Sequence, residues 1–135
     1  MTESEWEWAA RGPVAGGSTA TAYYWGNTAT GTTVAVYAWY GKERTRAVAE
    51  LRPNGYGLFD MSGNVGELVW DRVGTYPTVP TSNYVGADDT TATDRARRGG
   101  AWTHSVQTLR SARRLSADPN VPGASTGFRL ARSAP

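Results

Sequence analysis

The side chains that could do chemistry in this chain are few. His104 is the single histidine among 135 residues, and there is no cysteine. Without thiolates, neither a soft copper(I) site nor a disulfide framework can be built. One imidazole cannot make a two- or three-histidine metal centre, and a Ser–His–Asp relay would need partners converging in space. Hard-cation chemistry remains open. Asp60 and Glu67 bracket a tight, glycine-containing stretch, Met61-Ser-Gly-Asn-Val65. Such a turn can aim carbonyl oxygens at an ion that asks for six to eight of them. The competing role for Asp60 is to cap the turn by accepting bonds from backbone N–H groups.

The element that must position these groups runs from Gly57 to Asp71. Leu58, Phe59 and Met61 form an apolar run broken by Asp60, and Ser62-Gly63-Asn64 is a turn signal. Val65, Leu68, Val69 and Trp70 resume the apolar pattern. Bulky apolar residues between sharp turns read as irregular backbone threaded through a core, its polar groups satisfied internally.

Before it, Thr2-Glu-Ser-Glu5 is a capping box that predicts a helix to about Arg11, ended by Gly12-Pro13. Trp6, Ala9 and Ala10 share one face of that helix. Residues 13–32 read as loop anchored by Tyr24 and Trp25. Thr33 to Tyr40 is β-prone, 42–46 a charged turn, and 48–53 an extended link. The polar composition of 75–94 predicts a long surface excursion. Short strands are expected at 98–103, 109–113 and 126–132.

Length and composition bound the rest. The chain is read as one domain, 1–135, with a single core. Its start immediately before the first motif suggests an N-terminally truncated or minimal chain. Sixteen glycines, seven prolines and six tryptophans fit a loop-rich fold with an aromatic core. No apolar run approaches the roughly 20 residues needed to span a membrane. The net charge is only +2, and all but one of the fourteen basic residues are arginine. With no lysine cluster, this argues against a nucleic-acid partner. Cellular localisation is not legible.

Glu3-Ser-Glu-Trp-Glu-Trp-Ala-Ala-Arg-Gly12, Tyr24-Trp-Gly26, the Gly57–Asp71 stretch, Arg97-Arg-Gly-Gly-Ala-Trp102, and Leu109-Arg-Ser-Ala112 with Gly127-Phe-Arg129 follow one another in this order. The set resembles the formylglycine-generating-enzyme (sulfatase-modifying factor) family. The resemblance implies an α+β, C-type-lectin-like fold with short strands and one or two helices. It does not by itself carry the chemistry. That family's oxidase needs copper-binding cysteines in the segment after Trp102, and Thr103–Arg110 has none. The expectation is therefore a domain that is not an enzyme and holds no copper.

The resemblance also implies a structural Ca²⁺ at Asp60 and the carbonyls of Met61, Gly63 and Val65. Trp6, Trp8, Trp25, Trp70 and Trp102 lie inside fold motifs and are expected in the core. No EPN, QPD or WND sugar-binding motif occurs. Arg110, Arg113, Arg114 and Arg129 are expected to pair with buried carboxylates and carbonyls.

Between framework residues Trp102, Leu109–Ala112, Pro119 and Gly127–Arg129 lie Thr103, His104, Ser105, Thr108, Arg113, Leu115, Ser116, Ala117, Val121, Gly123, Ala124 and Ser125. This resembles the variable region of proteins diversified by retroelements. Adenine mutagenesis of AAY codons permits all twelve of these residues but not glutamine, so Gln107 would be fixed. An ordinary loop would pass the same test. The resemblance implies a non-catalytic binding domain for an unidentified protein or other macromolecular ligand; the alternative is an inactive accessory domain of a larger protein. Trp102, Leu109, Ala112, Phe128 and Leu130 are expected to be buried. His104, Ser105, Leu115, Ala117, Gly123 and Ala124 are expected to share one exposed surface.

Overall fold

The computed structural model describes residues 1–13, 21–79, 81–87 and 93–132. Helix α1 spans Glu3–Arg11 and begins where the sequence signals it. The Thr2 hydroxyl accepts the Glu5 N–H at 3.3 Å, while the Glu5 carboxylate accepts the Thr2 N–H at 2.7 Å. Gly12 then takes φ 72°, a conformation that favours glycine and ends the helix. Trp6 and Ala10 are buried, and pack with Met61, Val69 and Ala96.

Thr33–Tyr40 is not a strand. Helix α2 occupies Gly31–Ala35, followed by a turn. β-branched composition suggested extension, but Val34 and Ala38 stand four residues apart and both reach a second core with Tyr23 and Leu109. That spacing belongs to one face of a helix, so packing overrides local propensity. Trp25 is sandwiched nearby, stacked on Tyr23 at 4.6 Å and on Tyr37 at 5.5 Å.

The sheet has four strands in the order β3-β2-β1-β4. They are β1 (Gly66–Arg72), β2 (Arg95–Arg98), β3 (Leu115–Ala117) and β4 (Thr126–Gly127). β2 runs antiparallel to β1 and to β3, whereas β4 is parallel to β1. The Gly57–Asp71 stretch is thus irregular only as far as Val65. The expected strand at 98–103 lies earlier, because Gly99 and Gly100 take φ 82° and 69° and terminate it. In place of a strand at 109–113 there is a 3-10 turn over Val106–Leu109. Of 126–132, only Thr126–Gly127 is strand. Among the described residues of 75–94, Thr75–Val79 and Thr81–Asn83 are exposed. Residues 14–20 of the first loop, and 80 and 88–92 of the excursion, lie outside the described residues. No helix among the described residues is long and apolar enough to cross a membrane.

Alternation along the strands separates two faces. Glu67, Val69 and Asp71 of β1, with Ala96 and Arg98 of β2, are buried under α1. Leu68, Trp70, Arg95 and Arg97 face the other way. This explains two misplaced tryptophans. Trp70 is 64% exposed because its neighbours on both sides face α1, and Arg95 covers its ring at 5.0 Å. Trp8 lies off the Trp6–Ala10 face and is exposed, stacked on Tyr56.

Candidate functional site

The floor of the site is built by close backbone approach. Gly63 has φ 88°, and a Cβ there would stand 2.2 Å from the Trp39 carbonyl oxygen. Asn64, also left-handed at φ 60°, is buried and bonded at every polar group. Its N–H donates to Trp39 O at 2.9 Å, and its carbonyl accepts from Trp102 N–H at 2.9 Å. Its side chain grips Arg46 through both backbone groups, at 3.0 and 3.2 Å. The turn signal read in the sequence therefore fixes Trp102, the first residue before the candidate face.

From Trp102 the chain bends sharply. The His104 N–H donates to Ala101 O, and the Ala101 N–H donates back to His104 Nδ1 at 3.0 Å. Lys42 and Gly41 N–H groups bind the carbonyls of Trp102 and His104. The Trp102 indole N–H reaches the Ala124 carbonyl at 3.3 Å, which draws 123–125 against 102–104. The Ser125 carbonyl is held by Gly66 N–H at 2.8 Å.

Arg97 joins these pieces. Its guanidinium donates to Thr126 Oγ1 at 2.9 Å, its stem lies on Gly66, and Leu115 is its cross-strand partner. Burial lowers its pKa. Burial first, and then the Arg97 charge, lower the pKa of His104 as well. In the sequence, Arg97 stood out only as part of a fold motif. Strand alternation between Arg97 and Arg98 was the available signal, and it needed the true start of β2.

Of the twelve candidate residues, the structure thus gathers Thr103, His104, Leu115, Gly123, Ala124 and Ser125 around Arg97. Ala117 shares the Leu115 side of β3, opposite Arg95. Ser116 pairs with Ala96 and turns to the other side. Thr108 lies in the 3-10 turn, its carbonyl against Gly100. Ser105, Arg113 and Val121 are exposed, without a contact that ties them to Arg97. His104, Leu115 and Ala117 are half-buried rather than fully open. On the framework side Leu109 is buried and Trp102 half-buried, but Ala112, Phe128 and Leu130 are exposed. Ala112 sits on the outside of a turn. Arg129 takes the inward place between Phe128 and Leu130, giving the Glu67 carboxylate two bonds at 2.5 and 2.6 Å.

The arginines divide similarly. Arg114 meets Glu3 at 2.7 Å and the Gly74 carbonyl at 2.6 Å, as expected, whereas Arg110 and Arg113 are exposed. The deepest arginine is Arg98, at 0% exposure. It pairs with Glu7 and with Glu3, and donates to the carbonyls of Ser111 and Ala112.

At the cation candidate, Asp60 has φ 57° and its Oδ2 accepts the Ala49 N–H at 2.7 Å. Asp60, Gly63 and Val65 line one cavity of about 390 Å³ with Glu67 and Arg129. Met61 is buried outside that lining, its carbonyl against Gly99. Both oxygens of Glu67 are occupied by Trp6 and Arg129. One carboxylate and neighbouring carbonyls are oxygen donors of the kind a hard cation takes. Among the described residues, no three His, Asp or Glu side chains converge.

A small curled sheet, one capped helix and long irregular loops define an α+β, C-type-lectin-like fold. The chain belongs to the sulfatase-modifying factor enzyme 1-like domain family, which it matches over residues 1–134. It is 34% identical to the formylglycine-generating enzyme of Streptomyces coelicolor over 150 residues, covering 98% of this chain and 46% of that enzyme. Treponema denticola variable protein 1 superposes with a TM-score of 0.78 at 34% identity, covering 94% of this chain and 44% of that one. PvdO from Pseudomonas aeruginosa gives 0.74 at 27% identity, over 95% and 49%. The chain therefore spans about half the length of these relatives.

Proposed function

We propose that this is a non-catalytic ligand-binding domain whose residues 103–125 display a variable face to a protein or other macromolecular ligand, on the plan of a retroelement-diversified variable protein. The observation that carries the reading is the gathering of Thr103, His104, Leu115 and Gly123–Ser125 around Arg97, on a scaffold similar to the Treponema denticola variable protein. A rigid frame with tolerant side chains at its rim suits recognition. The absence of cysteine supports a non-enzymatic role, since the thiolates that formylglycine-generating chemistry is expected to need have no counterpart here.

The test is a displayed library randomised at these six positions. It should keep folding and yield binders to several unrelated proteins, whereas a library randomised at Asn64, Arg98 and Leu109 should lose folding. Equal loss of folding in both libraries would defeat the reading. A reverse transcriptase gene nearby, with a near-repeat of the codons for 98–129, would favour it over the second reading. That second reading, an inactive accessory domain, draws on family membership and the cysteine-free segment.

The same reading places a structural Ca²⁺ at Asp60 with the carbonyls of Met61, Gly63 and Val65. It is supported by the Asp60 carboxylate in the cavity lining and by the left-handed backbone at Asp60. An ion bound only by the native state raises its stability. Chelation should therefore lower the melting temperature, and Asp60→Ala should abolish the response to chelator. A melt indifferent to calcium would leave Asp60 as the cap of Ala49 alone.

A further inference from the structure

Arg97, around which the candidate residues gather, is a half-buried cation without a counter-charge. Arg98, Arg114 and Arg129 each meet a glutamate. Among the described residues no carboxylate pairs with Arg97. Its Nη1 donates to Thr126 Oγ1, and its Nε is buried without an acceptor. The strands explain this. Its neighbours across the sheet are Leu68 on β1 and Leu115 on β3, and its stem lies on Gly66. The β1 carboxylates, Glu67 and Asp71, face α1 and are held there by Trp6, Arg129 and the Glu3 N–H. Asp118, just past β3, is committed to Asn120. His104 accepts the Ala101 N–H and adds no negative charge.

A guanidinium partly withdrawn from water is costly until an anion joins it. Its planar fork of N–H donors fits a carboxylate. Arg97 belongs to β2, paired on both sides, and not to the segment 103–125. It is therefore a fixed point among side chains that can differ. Arginine is also one of the residues that carry most binding energy at protein interfaces. The adjoining loop has the same sign of charge. Lys42 and Arg44 are exposed there beside one acid, Glu43. The Gly41 and Lys42 N–H groups tie that loop to the carbonyls of His104 and Trp102.

We propose that Arg97 is the constant anchor of the binding face, and that the face takes protein ligands which set an aspartate or glutamate side chain against it. This rests on the reading of 103–125 as a binding face and adds to it the chemistry of the partner. The surrounding side chains choose among acidic surfaces, and Arg97 supplies the charge common to all of them.

The probes are two versions of one fluorescent β-barrel protein, one with its surface substituted to Asp and Glu, the other to Lys and Arg. The displayed library described above, with Arg97 kept, should yield binders to the acidic version at least about tenfold more often. In a purified binder, Arg97→Gln should weaken the complex at least about tenfold, chiefly through faster dissociation, as loss of a desolvated charge pair does. Arg110→Gln removes the same charge from an exposed site outside the gathering and should change affinity by less than about twofold. Thr126→Val removes the internal partner of Arg97. It should leave most of the affinity, whereas a merely structural Arg97 would make it as damaging as Arg97→Gln. A double-mutant cycle should find one carboxylate on the barrel whose loss no longer matters in the Arg97→Gln background. Binders equally frequent against the basic version, or indifferent to Arg97→Gln, would overturn the anchor and leave the binding face standing. Binding of single-stranded DNA that Arg97→Gln abolishes would overturn it too, by assigning the cation to nucleic acid. A folded library with no binder to either version would defeat the binding face and the anchor with it.

Discussion

Arg97 and Arg98 are neighbours on β2, yet they inhabit opposite environments. Arg98 lies under α1 with no exposed surface, held by two glutamates and two carbonyls, its charge also 5.5 Å from the Trp6 ring. Arg97, on the reverse of the sheet, has one side-chain partner, Thr126, although the Nε of each arginine meets no acceptor. The α1 side also buries Glu3, Glu67 and Asp71, each committed to a defined donor: Arg98 and Arg114, Trp6 and Arg129, and the Glu3 N–H. The other side, which leaves Trp70 exposed, is bordered by loops held largely through main-chain bonds. One face of the sheet is tied together by buried ion pairs, and among the described residues the other is not.

The largest expected effect tests that division directly. Arg98→Ala leaves the buried Glu3 carboxylate short of a partner and two carbonyls without donors. Breaking a buried ion pair by removing one member costs about 3–5 kcal/mol. Arg97→Ala removes a single charged donor, worth about 1–2 kcal/mol. Urea unfolding of the two variants should rank them in that order, and equal losses would erase the distinction between the faces.

The tryptophans sharpen the comparison at a smaller scale. Trp6 is fully buried and its indole N–H binds Glu67 at 2.6 Å. Trp6→Ala should cost about 3–5 kcal/mol, as buried aromatics do. Trp102 is half-buried and holds a loop carbonyl at 3.3 Å. Trp102→Ala should cost about 1–2 kcal/mol, within the ordinary range for single substitutions. It should also loosen 123–125, visible as faster amide exchange there. Protection of 123–125 that survives in Trp102→Ala would show the loop to be held by other means.

The capped helix was legible because its signal is local: Thr2 and Glu5 make their bonds within one turn. The Ser62-Gly63-Asn64 turn was legible for the same reason. What the sequence hid was everything decided across the sheet. Phe128 read as core because it lies in a motif, but the place facing α1 is taken by Arg129, drawn in by Glu67 from 62 positions away. The strand at 98–103 was displaced by two left-handed glycines whose φ values depend on Trp6 and Leu109 packing against them. In the candidate site, the loops were legible as unconstrained, but their meeting at Arg97 was not. That meeting is made by the pairing of β2 with β3 and by one indole bond spanning 22 positions.

The smallest expected effect is the pH response of the loop that carries His104. The Ala101 N–H donates to His104 Nδ1, so the folded state holds a neutral imidazole with its proton on Nε2, an assignment that follows from this bond. Protonation would place a second hydrogen against that amide. Burial and the nearby Arg97 charge act in the same direction, and the folded pKa lies below the ordinary 6.5. The native state therefore binds fewer protons than the unfolded chain as pH falls through 6.5, and stability rises with pH in that window. The contribution is complete above about 6.5 and is lost on acidification towards the lower folded pKa. His104→Asn keeps an acceptor for Ala101 without a titrating group. Between pH 7 and 5 the wild-type melting temperature should fall more steeply than that of His104→Asn, and amide exchange at Ala101 should quicken only in the wild type. Parallel slopes would mean that the loop carrying His104 is not held by its imidazole, and that even this half-buried position is free to vary.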